Sequence, residues 1–574
     1  MLDEVVDLKD LDEIERKPKY EASVSIREPT VFQSSTLLKP LVPQSSIVDQ
    51  YRNQIKLRHS MNLEKQTLKC MASESKAANV TFKDVGERKF LKLDKNVLLG
   101  SGSNGTRVYL GTFRQSVTND ETLVAIKRIQ YDTEAEYKAT YREVATLQKL
   151  NHSNVIKYLF ADNNDEFNLM FIALELCRGS LINIFELRKD VFECPFILKN
   201  RAPANDWWFK KHLLLGIANG LDYIHQQGHV HRDLKPQNIL VQGDDSNIFG
   251  YKAVICDFEL AKEMEAGKSK LSVSQGIVGT QGWMAKEVLA GGAQTKALDV
   301  FAYGCIVQFV LVENRDKHAI HPFGADIHRD NAIMESKRSS YISTHIADIN
   351  GSIRTTGQSY YVGELLQGRS GLGYEYLGDA IIADLLVSVC ISGDKTVRPS
   401  APELLLHPFF WSYEKRIQSN EMMFNLYKHD FQRHDIVSLM EKNWRILNTY
   451  TYSSLIPDAW EYYVSHRKAT KGKVPSSRLS SSLFNCLMRL IRNLQQHYEE
   501  AIALSPELEV ALDGNSESLG KYFFEGVPLA FPVIYIYLFQ YQCNSPEKTI
   551  EVKRKIYQQQ LSTLMNLKSN HRAL

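Results

Sequence analysis

The sequence predicts an α+β chain in which a β-rich lobe is followed by an α-rich lobe and then by an all-helical region. Short apolar strands alternate with glycine turns from about residue 89 to residue 176, and later apolar positions recur at helical spacing up to about residue 542. These two patterns predict four parts: a mostly disordered N-terminal tail (1–88), a two-lobed domain (89–411), a helical domain (412–543) and a polar tail (544–574).

The composition is that of an ordinary globular protein. Of the 574 residues 44% are hydrophobic and 24% are charged, which excludes a fibrous or mostly disordered chain. The formal net charge is +2, so any contact with nucleic acid must come from a local basic site. The eight cysteines are scattered without a C-x-x-C pair, which argues against a zinc cluster or a disulfide framework and favours a reducing compartment.

No stretch of the sequence predicts a signal peptide or a membrane span. Residues Met1–Arg16 are acidic and mixed instead of basic and then apolar. The two longest apolar stretches, Val300–Val312 and Val527–Phe539, are too short to cross a bilayer and are interpreted as buried helices. We therefore expect a cytoplasmic chain.

A glycine-rich loop opens the two-lobed domain. Gly100, Gly102 and Gly105 follow the apolar strand Val97–Leu99, and a second strand resumes at Val108. A strand after the loop, instead of a helix, argues against a dinucleotide-binding fold. The pattern favours a hairpin whose glycines let backbone N–H groups approach phosphates closely.

The next strand ends in a lysine that has a candidate partner. Ala125 and Lys127 belong to the apolar strand Val124–Lys127, and Glu143 lies in a helical stretch further on. Either charged residue alone is most simply a solvated surface group. Taken together, they predict an ion pair that holds the lysine against the α- and β-phosphates of a nucleotide.

A cluster of polar residues then supplies the groups that phosphoryl transfer requires. Within His231–Asn238, Asp233 is the candidate base that orients an attacking hydroxyl, and Lys235 is placed to neutralise the γ-phosphate. Asn238 and Asp257 are candidate oxygen ligands for Mg²⁺. The plain alternative is a turn rich in polar side chains, but the order and spacing of these motifs argue against it.

Residues 90–411 resemble a eukaryotic protein kinase, an identification that rests on these motifs together with Asp299–Gly304 and Arg398–Ser400. The resemblance implies a bilobal serine/threonine kinase fold that binds ATP with Mg²⁺. It also implies that Asp299 braces the catalytic loop, that Arg398 pairs with Glu287, and that Leu174 is the gatekeeper. The nucleotide site implied comprises Gly100, Gly102, Gly105, Val108, Ala125, Lys127, Glu143, Glu175 and Cys177.

Two positions depart from the kinase pattern. Glu259 stands where the family has the glycine of Asp-Phe-Gly, and we expect it to cost about 1 kcal/mol if φ must be positive there. Lys286 replaces the proline of Ala-Pro-Glu. ATP and Mg²⁺ binding is therefore a firmer expectation than phosphoryl transfer. The activation segment offers four candidate autophosphorylation sites: Ser269, Ser272, Ser274 and Thr280.

An amphipathic helix in the region after residue 411 carries a second group of candidate catalytic residues. Apolar residues recur at helical spacing through Leu487 and Leu494. Asn493 and His497 lie one turn apart on one helix face, and Arg492 is adjacent. Arginine suits the non-bridging oxygens of a phosphodiester, asparagine can hold a phosphate oxygen, and histidine can protonate a leaving 5′-oxygen. The alternative is a purely structural helix.

The junction at His407–Trp411, the Arg492–Tyr498 motif and the segment Phe531–Tyr535 resemble one group of kinases: the inositol-requiring kinase/endoribonucleases of the unfolded protein response and the related ribonuclease L. The resemblance implies an all-helical kinase-extension nuclease (KEN) domain and metal-independent cleavage of an RNA substrate by its own 2′-hydroxyl. It further implies a nucleotide-favoured homodimer, with ATP or ADP bound and the chain itself as a protein substrate. Relatives act at the endoplasmic reticulum membrane.

One departure affects the nuclease expectation. The family has a tyrosine about a dozen residues before the arginine, and no tyrosine occurs between Ala469 and Phe484; Tyr462 and Tyr463 lie further upstream. Loss of a general base typically costs about 10²–10⁴-fold in rate. Two alternatives therefore stay open: an ATP-binding pseudokinase switch with a nuclease or scaffold output, and a plain serine/threonine kinase with a helical interaction tail.

Overall fold

A six-stranded antiparallel sheet forms the first lobe. Its strands, in chain order, are β1 (Val80–Thr81), β2 (Phe90–Ser101), β3 (Arg107–Arg114), β4 (Thr122–Gln130), β5 (Tyr158–Asn164) and β6 (Leu169–Glu175). The spatial order is β1-β2-β3-β4-β6-β5, so the last two strands exchange places. Alternate apolar side chains of this sheet, including Val124 and Ile126, are fully buried in a core of their own.

The structure is a computed structural model. It describes residues 80–81, 90–102, 105–115, 121–164, 167–185, 207–243, 246, 250–264, 270–271, 277–312, 321–324, 328–338, 377–429, 456, 458–459, 484–504, 506–512, 516–527, 530–532 and 534–535.

One long helix packs beside the first sheet. Helix α1 (Glu134–Lys149) begins with a capping box, in which the Thr133 hydroxyl accepts from the Glu136 amide and the Glu136 carboxylate accepts from the Thr133 amide. These bonds satisfy amides that the first helical turn leaves unpaired. The helix then buries Glu143, Val144 and Leu147 toward the lobes. Its start is thus fixed, which positions Glu143 two and a half turns later.

The second lobe is mainly helical. Its helices are α2 (Leu181–Phe185), α3 (Trp207–Gln226), α4 (Lys286–Leu289), α5 (Ala297–Leu311), α6 (Arg329–Met334), α7 (Leu377–Cys390) and α8 (Ala401–Leu405). Short strands accompany them: β7 (Gly179–Ser180), β8 (His229–Val230), β9 (Ile239–Gly243), β10 (Tyr251–Ile255) and β11 (Lys262–Glu263). Helix α5 is buried along nearly its whole length, which confirms the interpretation of its apolar sequence as a core helix.

Among the described residues after the second lobe, the helices are α9 (Tyr413–His429), α10 (Phe484–Gln496), α11 (Tyr498–Leu504), α12 (Pro506–Leu512) and α13 (Ser516–Gly526). Helix α9 packs against α10 and α13, and α13 lies so close that a Cβ on Gly520 would stand 2.7 Å from Tyr413. Aromatic contacts join these helices to the second lobe, among them Trp208 with Tyr413 at 5.7 Å between ring centroids. We call α9–α13 the helical extension.

The architecture confirms the predicted bilobal kinase fold and places helices after it. Strand β1 lies within the segment 1–88, which was expected to be mostly disordered; its two residues pair with Leu93 and Lys92. The remainder of that segment, the tail 544–574, Ser269, Ser272 and Ser274, and the tyrosines at 462 and 463 lie outside the described residues. In the described part of the chain no helix is long and apolar enough to cross a membrane.

Candidate active site

The glycine-rich loop joins β2 to β3 as a hairpin. Gly100 pairs with Val108 across the two strands, and the Gly102 amide donates to the Thr106 carbonyl at 2.9 Å. Gly105 has φ of +72°, a conformation that a side chain would strain. A Cβ built on Gly100 or on Gly105 would meet nothing within 4 Å. The loop therefore leaves open space next to its backbone, as phosphate binding requires.

Lys127 lies at the centre of a buried charge cluster. Its ammonium group is 2.7 Å from Glu143 and 3.0 Å from Asp257. Burial disfavours the ammonium, but the two carboxylates outweigh it and raise the pKa of Lys127 above its ordinary value. Lys127 in turn holds the pKa of Asp257 low against the effect of burial. The predicted ion pair is thus present, and the metal carboxylate is kept ionised beside it.

The end of β6 connects the lobes and carries the expected adenine-binding segment. Leu174 and Glu175 pair with Ala125 and Val124 of β4. The Glu175 carboxylate accepts from the Lys157 amide at 2.9 Å and from the Gln242 side chain at 2.6 Å. Because that carboxylate fastens the connection to the second lobe, adenine recognition here would fall to backbone groups. Burial raises the pKa of Cys177 nearby, so its thiol stays neutral.

Asp299 braces the catalytic loop from the buried start of α5. Its two carboxylate oxygens accept from the His231 and Arg232 amides, each at 2.8 Å, and from His225 Nε2 at 2.9 Å. Burial opposes the charge, yet these donors hold the pKa of Asp299 below its usual range. Arg232 takes the left-handed conformation with φ of +68°. The loop is therefore held in a strained form by a fully buried anion.

Three polar side chains, those of Lys235, Thr280 and Asn238, bond to the Asp233 carboxylate. Lys235 Nζ is 2.7 Å from one carboxylate oxygen, and the Thr280 hydroxyl donates to the other at 2.5 Å. Lys235 also donates to the Thr280 oxygen at 2.6 Å, which closes a ring of three residues. Sequence reasoning placed Thr280 only among the candidate phosphorylation sites. The local sequence gives no sign that Thr280 contacts the candidate base Asp233, because 47 residues separate the two.

Asn238 is oriented by the same loop. Its amide nitrogen donates to the Asp233 carbonyl at 2.9 Å and to the Asp233 carboxylate at 3.0 Å, which leaves the amide oxygen available as a metal ligand. Among the described residues no cluster of three or more His, Cys, Asp or Glu side chains is placed to hold a metal alone. Mg²⁺ at Asn238 and Asp257 would therefore need phosphate oxygens to complete its octahedral shell.

The departure at Glu259 carries no backbone strain of the expected kind. In the Asp257-Phe258-Glu259 motif the left-handed residue is Asp257, with φ of +67°, and Glu259 is not among the residues of positive φ. The condition on which the expected cost depended, a positive φ at position 259, is therefore not met. Aspartate tolerates the left-handed region better than most residues, and Lys127 holds its side chain in place.

The second departure, Lys286 in place of proline, leaves the ion pair between Arg398 and Glu287 intact. Arg398 makes two bonds to Glu287, at 2.7 and 2.9 Å, and its side chain is fully buried. Lys286, in the place of the family proline, starts the short helix α4 and contacts the Ser336 hydroxyl at 3.3 Å. The bidentate pair fixes the end of the activation segment without the rigid proline.

The candidate nuclease residues lie together at the end of α10. Leu487, Leu490, Ile491 and Leu494 are fully buried, which confirms the predicted amphipathic helix. Arg492, Asn493 and His497 are each half-buried. The His497 amide donates to the Asn493 carbonyl at 2.9 Å, so the helical hydrogen-bond pattern continues to the histidine and places the two side chains one turn apart.

Comparisons with known proteins found one family model and several relatives that match the chain. The family described as Protein kinase domain matches residues 93–410, more than half of the chain. The chain is similar to the Homo sapiens serine/threonine-protein kinase/endoribonuclease IRE2, with 29% identity across 75% of this chain and 39% of that protein. It is 28% identical to ire-1 of Caenorhabditis elegans over 70% of this chain and 35% of that protein.

A third relative is the sensor for unfolded proteins in the ER ire1 of Schizosaccharomyces pombe, 26% identical over 75% of this chain and 36% of that protein. These matches confirm the resemblance to the kinase/endoribonuclease group. The chain spans less than half the length of each of these three relatives.

Proposed function

Because the chain belongs to the protein kinase family, we propose that it is a bifunctional enzyme: a serine/threonine kinase whose nucleotide site controls an endoribonuclease in the helical extension. One observation carries the kinase half. A charged lysine, its glutamate partner, a candidate base and two candidate metal ligands converge in one cleft, with Lys127 bonded to both Glu143 and Asp257.

In the kinase reaction the chain's own groups position the substrates. The glycine loop and Lys127 hold the ATP phosphates, and Asp233 accepts the proton of the attacking hydroxyl. Lys235, bonded to Asp233, stabilises charge on the transferred phosphoryl group. Asn238 and Asp257 would hold Mg²⁺, which would neutralise charge on the phosphates. The acceptor hydroxyl belongs to a protein substrate. A second copy of this chain is one such substrate.

In the nuclease reaction the substrate supplies its own nucleophile. The RNA 2′-hydroxyl attacks the adjacent phosphorus and gives its proton to solvent water. The bond from phosphorus to the 5′-oxygen breaks, which leaves a 2′,3′-cyclic phosphate and a free 5′-hydroxyl. His497 donates a proton to the departing 5′-oxygen, and Arg492 stabilises the charge on the non-bridging oxygens. Asn493 holds the phosphate in place. No metal ion takes part, which separates this reaction from the kinase reaction in an assay.

We further propose that nucleotide binding controls the nuclease through self-association. A ligand that prefers the conformation competent to dimerise shifts the population toward the dimer. Helix α9 joins the extension to the second lobe, since Arg416 forms a buried ion pair with Asp379 and Tyr413 packs on Trp208. A change at the nucleotide cleft and a change in the extension are thereby linked by one packed body. An unfolded-protein signal, as the name of the S. pombe relative suggests, would act upstream of this step.

The bifunctional proposal is tested by separating its two activities in purified full-length chain. Asp233→Ala should abolish phosphoryl transfer from labelled ATP, and His497→Ala should lower stem-loop RNA cleavage in EDTA about 10²–10⁴-fold without lowering phosphoryl transfer. The matched control is Gln496→Ala, an exposed neighbour of the histidine, which should cleave as the unmodified chain does. RNA cleavage that persists undiminished in His497→Ala would refute the nuclease assignment.

A further inference from the structure

A buried lysine lies where the second lobe meets the helical extension. Lys211, on α3, is only 6% exposed. Its amine nitrogen is 4.7 Å from the centre of the Trp208 ring, 5.6 Å from that of Phe409, and 3.5 Å from the Trp411 carbonyl oxygen. Lysine is almost never fully buried unless a carboxylate pairs with it, so its surroundings require an explanation.

The nearest carboxylates are occupied by other partners. Asp379, at the start of α7, forms a buried ion pair with Arg416 of α9. Glu517, on α13, accepts from the Tyr413 and Glu414 amides at 2.9 and 2.8 Å and so caps the start of α9. In the described part of the chain Lys211 has an aromatic and carbonyl environment without an ion pair of its own.

We propose that Lys211 is a proton-sensitive lock that tightens the contact between the second lobe and the helical extension when its side chain loses a proton. The neutral amine fits between the two rings and the carbonyl without a counter-ion. The ammonium form competes for Asp379 against Arg416 and for Glu517 against the first amides of α9. The first competition weakens the ion pair that holds α9 to the lobe, and the second weakens the cap that α13 places on the start of α9.

The electrostatics of the site support a change of protonation near neutral pH. Burial lowers the pKa of Lys211 to about 7, with Arg416 acting in the same direction and the Asp379 and Glu517 carboxylates opposing it. The ring faces of Trp208 and Phe409 attract the ammonium form. They therefore reduce the free-energy cost of burying that charge, but by less than an ion pair would. The charged or titratable groups around the site are Asp379, Tyr413, Lys415, Arg416, Glu517, Glu525 and His407, with Lys210 and His212 on the same helix.

The direction of the pH effect follows from the two states of Lys211. When the extension is undocked, the side chain is solvated and keeps its ordinary pKa, so between pH 7 and pH 10 the undocked form binds more protons than the docked form. Docking therefore strengthens as pH rises, by about tenfold from pH 6 to pH 8 and about tenfold again from pH 8 to pH 9. This inference concerns the contact between the two parts and does not depend on either proposed activity.

The test is hydrogen exchange of the full chain between pH 6 and pH 9, corrected for the intrinsic pH dependence of exchange. The amides of Tyr413 and Glu414, which Glu517 caps, lie where Tyr413 packs on Trp208 of the lobe, so their protection reports the packing of the start of α9 at that contact. Their protection should rise about tenfold from pH 6 to pH 8 in the unmodified chain. In Lys211→Met, whose side chain has similar length and no charge, this protection should change with pH only as far as the other titrating groups change it.

A second variant keeps the proposal testable if the methionine variant does not fold. Lys211→Arg keeps its charge throughout this range and should give low protection at every pH. The difference between the unmodified chain and either variant removes the contribution of His407 and of the other titrating groups. A protection profile in Lys211→Met or Lys211→Arg that rises with pH as steeply as that of the unmodified chain would overturn the proposal.

Discussion

The Thr280 hydroxyl donates a hydrogen bond to the Asp233 carboxylate across 2.5 Å. This contact joins the activation segment to the catalytic loop at the candidate base. Lys235 donates to both partners, so the three side chains orient one another. The position of the activation segment therefore sets the geometry of the base.

Removal of the Thr280 hydroxyl should slow phosphoryl transfer. In Thr280→Val the base loses one donor and its orientation, and an unmade bond to a charged group is worth about 1–3 kcal/mol. We expect kcat to fall about 5–100-fold with little change in the KM for ATP. Thr280→Ser, which restores the hydroxyl, should recover most of the rate. A valine variant with the unmodified kcat would contradict this role.

Substitution of Glu259 by glycine should have a small effect on activity. Since Asp257 and not Glu259 holds the positive φ, glycine relieves no strain at this position. It adds backbone freedom to the unfolded chain, which lowers the free energy of unfolding by about 0.5–1 kcal/mol. Urea denaturation and a phosphoryl-transfer assay of Glu259→Gly check both expectations. A tenfold gain in kinase rate would show instead that the glutamate impairs catalysis.

The buried pair of Arg398 and Glu287 should contribute strongly to stability. Arg398→Lys cannot reproduce two bonds to one carboxylate, and breaking a buried pair typically costs about 3–5 kcal/mol. We expect the lysine variant to lose somewhat less, about 2–3 kcal/mol in the free energy of unfolding. The matched control is Lys337→Met, which removes an exposed pair with Glu335. The control should change stability far less than Arg398→Lys does, because an exposed ion pair contributes little. Equal losses in the two variants would refute this account.

The sequence was sufficient to predict the features that depend on motif order or on regular spacing. Lys127 and Glu143 were paired from their motifs, and the buried face of α10 followed from the spacing of Leu487 and Leu494. Which residue of the Asp257-Phe258-Glu259 motif has the positive φ could not be predicted from the sequence, since Asp257 is held by Lys127, 130 residues away. A local sequence motif does not indicate such a long-range contact.

The surroundings of Lys211 were equally beyond sequence reasoning. Lys211 lies in a mainly apolar helix, whose sequence predicts a buried face but does not show which later segments cover this lysine. The residues that enclose it come from α7, α9 and α13, up to about 300 positions further along the chain. The same holds for Thr280, whose partner Asp233 lies in a different loop. Packing between distant elements, and not local pattern, determines these two sites.

The most direct test of the central claim is the rate of RNA cleavage as a function of protein concentration, with and without ADP and Mg²⁺. ADP is used because it occupies the cleft without transferring a phosphoryl group. If nucleotide binding drives self-association of the nuclease, ADP–Mg²⁺ should shift the half-maximal rate to a lower protein concentration, and Lys127→Met should lose that shift while still cleaving at high concentration. Identical concentration curves with and without nucleotide in the unmodified chain would contradict the account.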